Sequence, residues 1–395
     1  MAESVFVKPE LIDWAIARSR LPADELAQAF PKLDAWKSGE RRPTFKQLER
    51  FATKTMTPFG YFFLDAPPEE KLPIPDFRTV GDTPIDRPSP NLIETIQAMQ
   101  RRQEWMREYV IEEGHDPLEF VGSGANIHNE VSLAARIRKT LGLTADWAEA
   151  HKTWEDALRR LRNSAEQIGV LVATSGVVRL NNHRQLDPQE FRGFVFCDAY
   201  APLIFINGAD YKSAQMFTVA HELAHLWVGK DSLFNLIRMM PHRDVAERFC
   251  NQVAAELLVP RHKLAERWAA VKATDRRFHT LAQSFKVSPI VAARRALDLK
   301  LISKGEFFTF YEKDQDEWRT IRAKEKEKAK QKKGGPDFYD VQDIRLSRKF
   351  AYAVVRAVRE GRLLYREAYQ LTDLRGETFS RYANRVLQRM KDERQ

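Results

Sequence analysis

Cysteine is almost missing from this chain: Cys197 and Cys250 are the only two in 395 residues. That excludes a disulfide framework and any zinc module built on cysteine, and suits a reducing compartment. Long apolar runs are also missing, with nothing near the roughly 20 residues that span a bilayer. The opening MAESVFVKPELIDW lacks the charged start, apolar stretch and small-residue cleavage site of a secretory signal. A cytoplasmic protein with no membrane partner is expected. No internal repeat of solenoid type occurs. Charge is present in excess of one sign: the formal net value is +9. It points either to an acidic partner such as nucleic acid or to ordinary surface lysine and arginine. Apolar residues make up 43%, enough for real cores in a chain long enough for two or three domains.

Punctuation divides the chain. Over residues 9–64, Pro9, Pro22 and Pro31 open short amphipathic helices, and Gly39 closes the third. Thr44, followed three residues later by Gln47, predicts a capping box for a fourth. Phe59, Tyr61, Phe62 and Phe63 are expected to form a core cluster rather than a stacking platform for bases. APPEEKLPIPDFR blocks helix and favours extended chain, and residues 88–112 read as one long helix. A helix near 154–168 then precedes three strand-type runs, GVLVATS, FRGFVFCD and PLIFIN. After them the pattern turns helical, with Asp210 as the expected cap. A second strong helix covers about 243–258 and ends before Pro260. Charge dominates 311–336, and helical periodicity returns over 337–395. The expected boundaries are therefore 1–66, 67–129, 130–310, 311–336 and 337–395. The fold class is α+β and mostly helical: a small sheet and one metal-type helix flanked by helical domains.

That helix contains His-Glu-Leu-Ala-His. His221 and His225, four apart, project from one face and can reach one tetrahedral ion. Glu222 lies beside them and can take the proton of an attacking water, then pass it to the leaving amine. The alternative is two surface histidines on an amphipathic helix. The flanking Phe217, Val219, Leu223, Leu226 and Trp227 oppose it, because polar groups buried in such a helix are costly unless bound.

Zinc takes a third protein ligand while leaving a position open. Asp231 closes an H-E-x-x-H-x-x-G-x-x-D pattern, but its glycine fails: position 228 is valine and Gly229 comes one residue late. Glu247, in ERFCNQVAAELLVP 22 residues after His225, is the better candidate. Asn251, four residues further, shares its face and is expected to support a ligand from behind. Glu256, half a turn out of phase with Glu247, should point away. Cys250 reads as a small core residue, and His242 and His262 as surface histidines.

With FRGF, PLIFINGAD, AHELAHLW and ERFCNQVAAELLVP in place, residues 160–260 resemble the ImmA/IrrE metallopeptidases. The resemblance implies a zincin-like peptidase core over 130–310, a Zn2+ cofactor and Glu247 as third ligand. It leaves the oxyanion donor open, with Tyr211 and His183 as polar candidates. Members of the characterised kind cleave a transcriptional repressor in stress or prophage induction. Residues 1–66 resemble an Xre-type helix-turn-helix, truncated because PKLDAW leaves little over one turn where a recognition helix belongs. Lys32, Lys37, Arg41 and Arg42 remain able to contact phosphates. A second helix-turn-helix-like segment lies at 278–299, with Lys286 in its turn, Ser288 as cap, and Arg294 and Arg295 as possible nucleic-acid contacts.

The expected function is a zinc-dependent endopeptidase for a specific intracellular regulatory protein, a DNA-binding repressor or an antitoxin. The setting is a stress, phage or toxin–antitoxin response. The substrate is expected to add a strand beside FRGFVFCD or PLIFIN. The alternative is a DNA- or protein-binding regulator, or a toxin–antitoxin component, that acts by association.

Overall fold

The computed structural model describes residues 4–70, 88–234, 245–314 and 337–392. They form two compact units, one of residues up to 97 and one from residue 98 onward.

The first unit follows its prolines. Helices run Pro9–Ser19, Ala23–Ala29, Leu33–Lys37 and Phe45–Lys54, with Pro9 in the first turn of its helix and Pro22 capping the next. The capping box is present: Thr44 N–H donates to Gln47 Oε1 at 2.9 Å, and Gln47 N–H to Thr44 Oγ1 at 3.3 Å. Leu11, Ile12, Leu26, Trp36, Leu48, Phe51 and Phe62 fill the core. Phe59 and Tyr61 pack against it, but Phe63 is 52% exposed, so the expected four-aromatic cluster loses a member. Phe59–Phe63 is a 3-10 turn, whose three residues per turn put Phe59 and Phe62 on one side and send Phe63 off it. The long helix spans Pro90–Glu112.

The second unit is α+β, mostly helical around a small mixed sheet. Its strands are β1 (Leu171–Ser175), β2 (Val177–Val178), β3 (Asn181–Gln185), β4 (Gly193–Phe196), β5 (Leu203–Asn207) and β6 (Ser232–Phe234). The main sheet has the order β1-β5-β4-β6, while β2 and β3 pair separately. β1 is parallel to β5; β4 runs antiparallel to both β5 and β6. Strands β1, β4 and β5 are buried at every position, which explains their continuous apolar runs: a strand covered on both faces has no need to alternate. Helices Trp154–Gln167 and Lys212–Val228 pack on this sheet, and Phe338–Leu346 packs against β1.

Three expectations change here. Both 193–196 and 203–207 are interior strands, paired on each side, so no substrate strand can be added beside them. Among the described residues, the edge of the sheet next to the motif helix is β6. Asp210 is not the cap: the motif helix starts at Lys212 with Tyr211 as N-cap and no side-chain cap. Asp210 is engaged instead in the preceding turn, its N–H on Asn207 O at 3.2 Å and its carboxylate accepting from Tyr211 N–H at 2.9 Å. Most of the expected charged linker, residues 315–336, lies outside the described residues. Beyond it, helices Phe338–Leu346, Arg348–Arg359, Tyr365–Thr372 and Gly376–Asp392 follow.

Candidate metal centre

The motif helix Lys212–Val228 is buried along nearly its whole length, as befits a helix inside a core. Gly229 ends it at φ +78°, and its N–H closes on His225 O at 2.7 Å. A side chain at Gly229 would meet Gly122 Cα at 2.9 Å. That close approach lets the loop at 118–127 satisfy the helix's last carbonyls, through Gly122 N–H on Leu226 O at 2.8 Å and Gly124 N–H on Trp227 O at 2.7 Å. The helix end is thereby fixed, and with it the register of the two histidines.

His221 Nε2 and His225 Nε2 are 3.0 Å apart. Helix Val245–Leu258 brings in Glu247, whose carboxylate lies 3.2 Å from His221 Nε2 and 3.1 Å from His225 Nε2. Both histidines are buried and Glu247 is partly so. Burial lowers His221 to about 4, against the opposing pull of Glu247. Burial pushes Glu247 up, but its hydrogen bonds from His221 and His225 outweigh that and leave it well below the carboxylate range. Neutral imidazole and ionised carboxylate are the states that offer lone pairs to a metal. Two nitrogens and one carboxylate oxygen are a donor set typical of zinc, and these three residues could hold one ion.

Glu222 is fully buried beside the trio. Its Oε2 accepts from Ser232 Oγ at 3.0 Å, while Oε1 is buried without a hydrogen-bond partner. Burial and then the Glu247 charge raise its pKa well above the ordinary range, partly offset by Ser232. A cation beside it acts in the opposite direction. Asn251, one turn beyond Glu247, acts on His221 to raise its pKa slightly against burial, while its Oδ1 is buried without a hydrogen-bond partner.

The other candidates lie elsewhere. Asp231 accepts from Cys197 N–H at 2.5 Å and is outside the trio. Glu256 points away as expected: it is buried against Arg295 and accepts from Arg261 N–H at 3.2 Å. Cys250 is a core residue and His262 is exposed; His242 lies outside the described residues. Tyr211 caps the motif helix ten residues before His221, about 15 Å along the axis, too far to donate to an oxyanion at the cluster. His183 sits on the exposed strand β3.

Arg295 is corrected as a nucleic-acid contact. It is 3% exposed, ion-paired to Glu256 and bonded to Val259 O at 3.1 Å, so it ties helix Pro289–Asp298 to the ligand helix. Arg294 pairs with Asp298 at 3.0 Å on its own helix, and Lys286 donates to Gln283 O at 2.6 Å from the turn, where it is left-handed at φ 53°. Arg41 and Arg42 are exposed on the first unit, where Arg42 lies over the Phe6 ring at 5.2 Å.

Two residues of the site escaped the sequence reading. Ser232 shows no motif. Gly193 is the glycine of FRGF, and a glycine inside a strand signals close approach. A Cβ there would meet Thr218 Cγ2 at 2.6 Å, Phe205 O at 2.9 Å and Glu222 Oε1 at 3.3 Å. Its absence lets β4 pass directly over the motif helix.

A small mixed sheet, a buried helix with two histidines four apart, and a carboxylate from the next helix define a domain of the metallopeptidase class. Residues 160–297 match the family described as IrrE N-terminal-like domain, a peptidase family, and residues 346–385 match one described as a domain of unknown function. No curated protein matches the chain.

Proposed function

We propose that the second unit is a zinc-dependent endopeptidase in which His221, His225 and Glu247 hold the metal and Glu222 is the general base. The observation that carries this reading is the convergence of three ligand atoms from two helices, Glu247 lying 22 residues after His225, beside a buried carboxylate with one unpartnered oxygen. Zinc at such a site supplies Lewis acidity for amide hydrolysis. Glu222, held at Oε2 by Ser232, uses Oε1 to take the proton of the attacking water and returns it to the leaving amine. Asn251 keeps His221 in its orientation. The substrate lies extended along β6, the edge nearest Glu222.

The substrate is a specific regulatory protein, a DNA-binding repressor or an antitoxin, in a stress, phage or toxin–antitoxin response. The helical regions outside the peptidase core select it, including the N-terminal unit with its shortened Xre-type helix Leu33–Lys37. Arg41, Arg42, Lys286 and Arg294 remain the residues for any contact with DNA. The test is Glu222→Gln. That variant is expected to keep its zinc, lose hydrolysis and lose the biological effect. Retention of the effect would instead mean action by association.

A further inference from the structure

Ser232 reaches Glu222 only if β6 is in the right register against β4. Among the described residues that pairing rests on Val195 with Ser232, Phe194 with Leu233 and Gly193 with Phe234. The ladder is short because β4 itself spans Gly193–Phe196. Side chains alternate along a strand, so a slip of one residue would turn Ser232 away from Glu222. Past the last of these pairs the contact continues through a side chain. Cys197, the first residue beyond β4, donates its N–H to Oδ1 of Asp231, the residue before β6, at 2.5 Å. The thiol of the same cysteine donates to His225 O at 3.7 Å. That carbonyl also takes the N–H groups of Gly229 at 2.7 Å and Lys230 at 3.2 Å. Cys197 thus joins the end of the motif helix to the start of β6, and Asp231 is the β6 side of that joint. Asp231 stands outside the trio of His221, His225 and Glu247. The next residue, Ser232, is buried with its Oγ on Glu222 Oε2.

We propose that Asp231 is a positioning residue of the peptidase, whose carboxylate pins β6 in the register that sets Ser232 against Glu222. It acts through Ser232 and not as a metal ligand. Its chemical consequence rests on the endopeptidase reading above, whereas the pin itself is a property of the strand pair. The carboxylate supplies an acceptor where the backbone ladder runs out. Asparagine at this position keeps an acceptor oxygen for Cys197 N–H. Alanine leaves that N–H, on a partly buried residue, without its partner, and the strand loses its stop.

The zinc-loaded full chain and its variants are compared by amide hydrogen exchange at Cys197 and over 231–234. Hydrolysis of a mixed-sequence library of internally quenched fluorogenic peptides is measured alongside. Asp231→Ala is expected to keep its zinc, to exchange faster at these amides, and to hydrolyse about tenfold more slowly or worse. Asp231→Asn is expected to recover most of both. In a chain already carrying Ser232→Ala, Asp231→Ala should cost little more, because both act on Glu222 through one hydrogen bond. A residue that merely stabilised the fold would give no such non-additivity. Unchanged exchange and rate in Asp231→Ala overturns the pin, as does an Asn variant as impaired as the Ala one. Full additivity with Ser232→Ala overturns the route through Ser232. Zinc lost from Asp231→Ala overturns the positioning role in favour of a ligand. A wild-type chain that holds zinc but hydrolyses no peptide overturns the endopeptidase reading and the catalytic consequence with it; the exchange comparison then still decides whether Asp231 holds β6.

Discussion

Ser232 Oγ donates to Glu222 Oε2 across 3.0 Å, so the carboxylate of the motif helix is held by edge strand β6 and not by its own helix. One oxygen is anchored and the other is buried without a partner. A base built this way points in one direction.

Ser232→Ala removes that anchor without touching His221, His225 or Glu247, the three residues proposed to hold the metal. A hydrogen bond to a charged group contributes about 1.5–3 kcal/mol, and about 1.4 kcal/mol is a tenfold change in rate. Peptide hydrolysis is therefore expected to fall tenfold or more, with zinc content by elemental analysis unchanged. Wild-type turnover in the variant would remove Ser232 from the machinery.

Glu247→Ala and Asp231→Ala separate the two sequence candidates for third ligand. Zinc should fall away in the first and remain near stoichiometric in the second, because Asp231 is occupied by Cys197 N–H. Asn251→Ala should weaken zinc about 10- to 100-fold, the usual effect of losing a group that orients a ligand. Competition with a chelator measures all three. Loss of zinc from Asp231→Ala alone would reassign the ligand.

The metal-free protein should become less stable in acid through His221. Burial holds that imidazole at about 4, below its ordinary value, so the unfolded chain binds the proton more tightly. The stability involved is present above about pH 6.5 and is lost as pH falls toward about 4. The destabilisation caused by His221→Asn, read from urea midpoints, should accordingly shrink across that window. A gap that stays constant from pH 7 to 4 would contradict the assignment.

Arg295→Ala leaves Glu256 buried without its main partner, a loss of about 3–5 kcal/mol. Arg294→Ala, on the same helix but part-exposed and paired with Asp298 one turn along, should change stability by no more than about 0.5 kcal/mol. Denaturant unfolding of the two variants checks the contrast. Equal effects would mean that Arg295 does not hold the helices together.

The sequence by itself determined what depends on neighbours along the chain. The capping box at Thr44, the prolines that start helices, the strand-type runs and the His-Glu-Leu-Ala-His spacing all act within a few residues. Each stands where the reading placed it. Glu247 and Glu256 could also be told apart, because nine residues on a helix fix their relative phase. Only the tertiary structure decided what depends on partners distant in sequence. Adjacent arginines at 294 and 295 look alike as letters, yet one stays part-exposed beside Asp298 and the other meets Glu256 across 39 residues. Likewise, FRGFVFCD and PLIFIN announce strands but not their order, and the order β1-β5-β4-β6 is what puts Ser232–Phe234 at an edge among the described residues and sets Ser232 against Glu222. Local periodicity is a property of one segment; strand order and ion pairing are properties of the closed core.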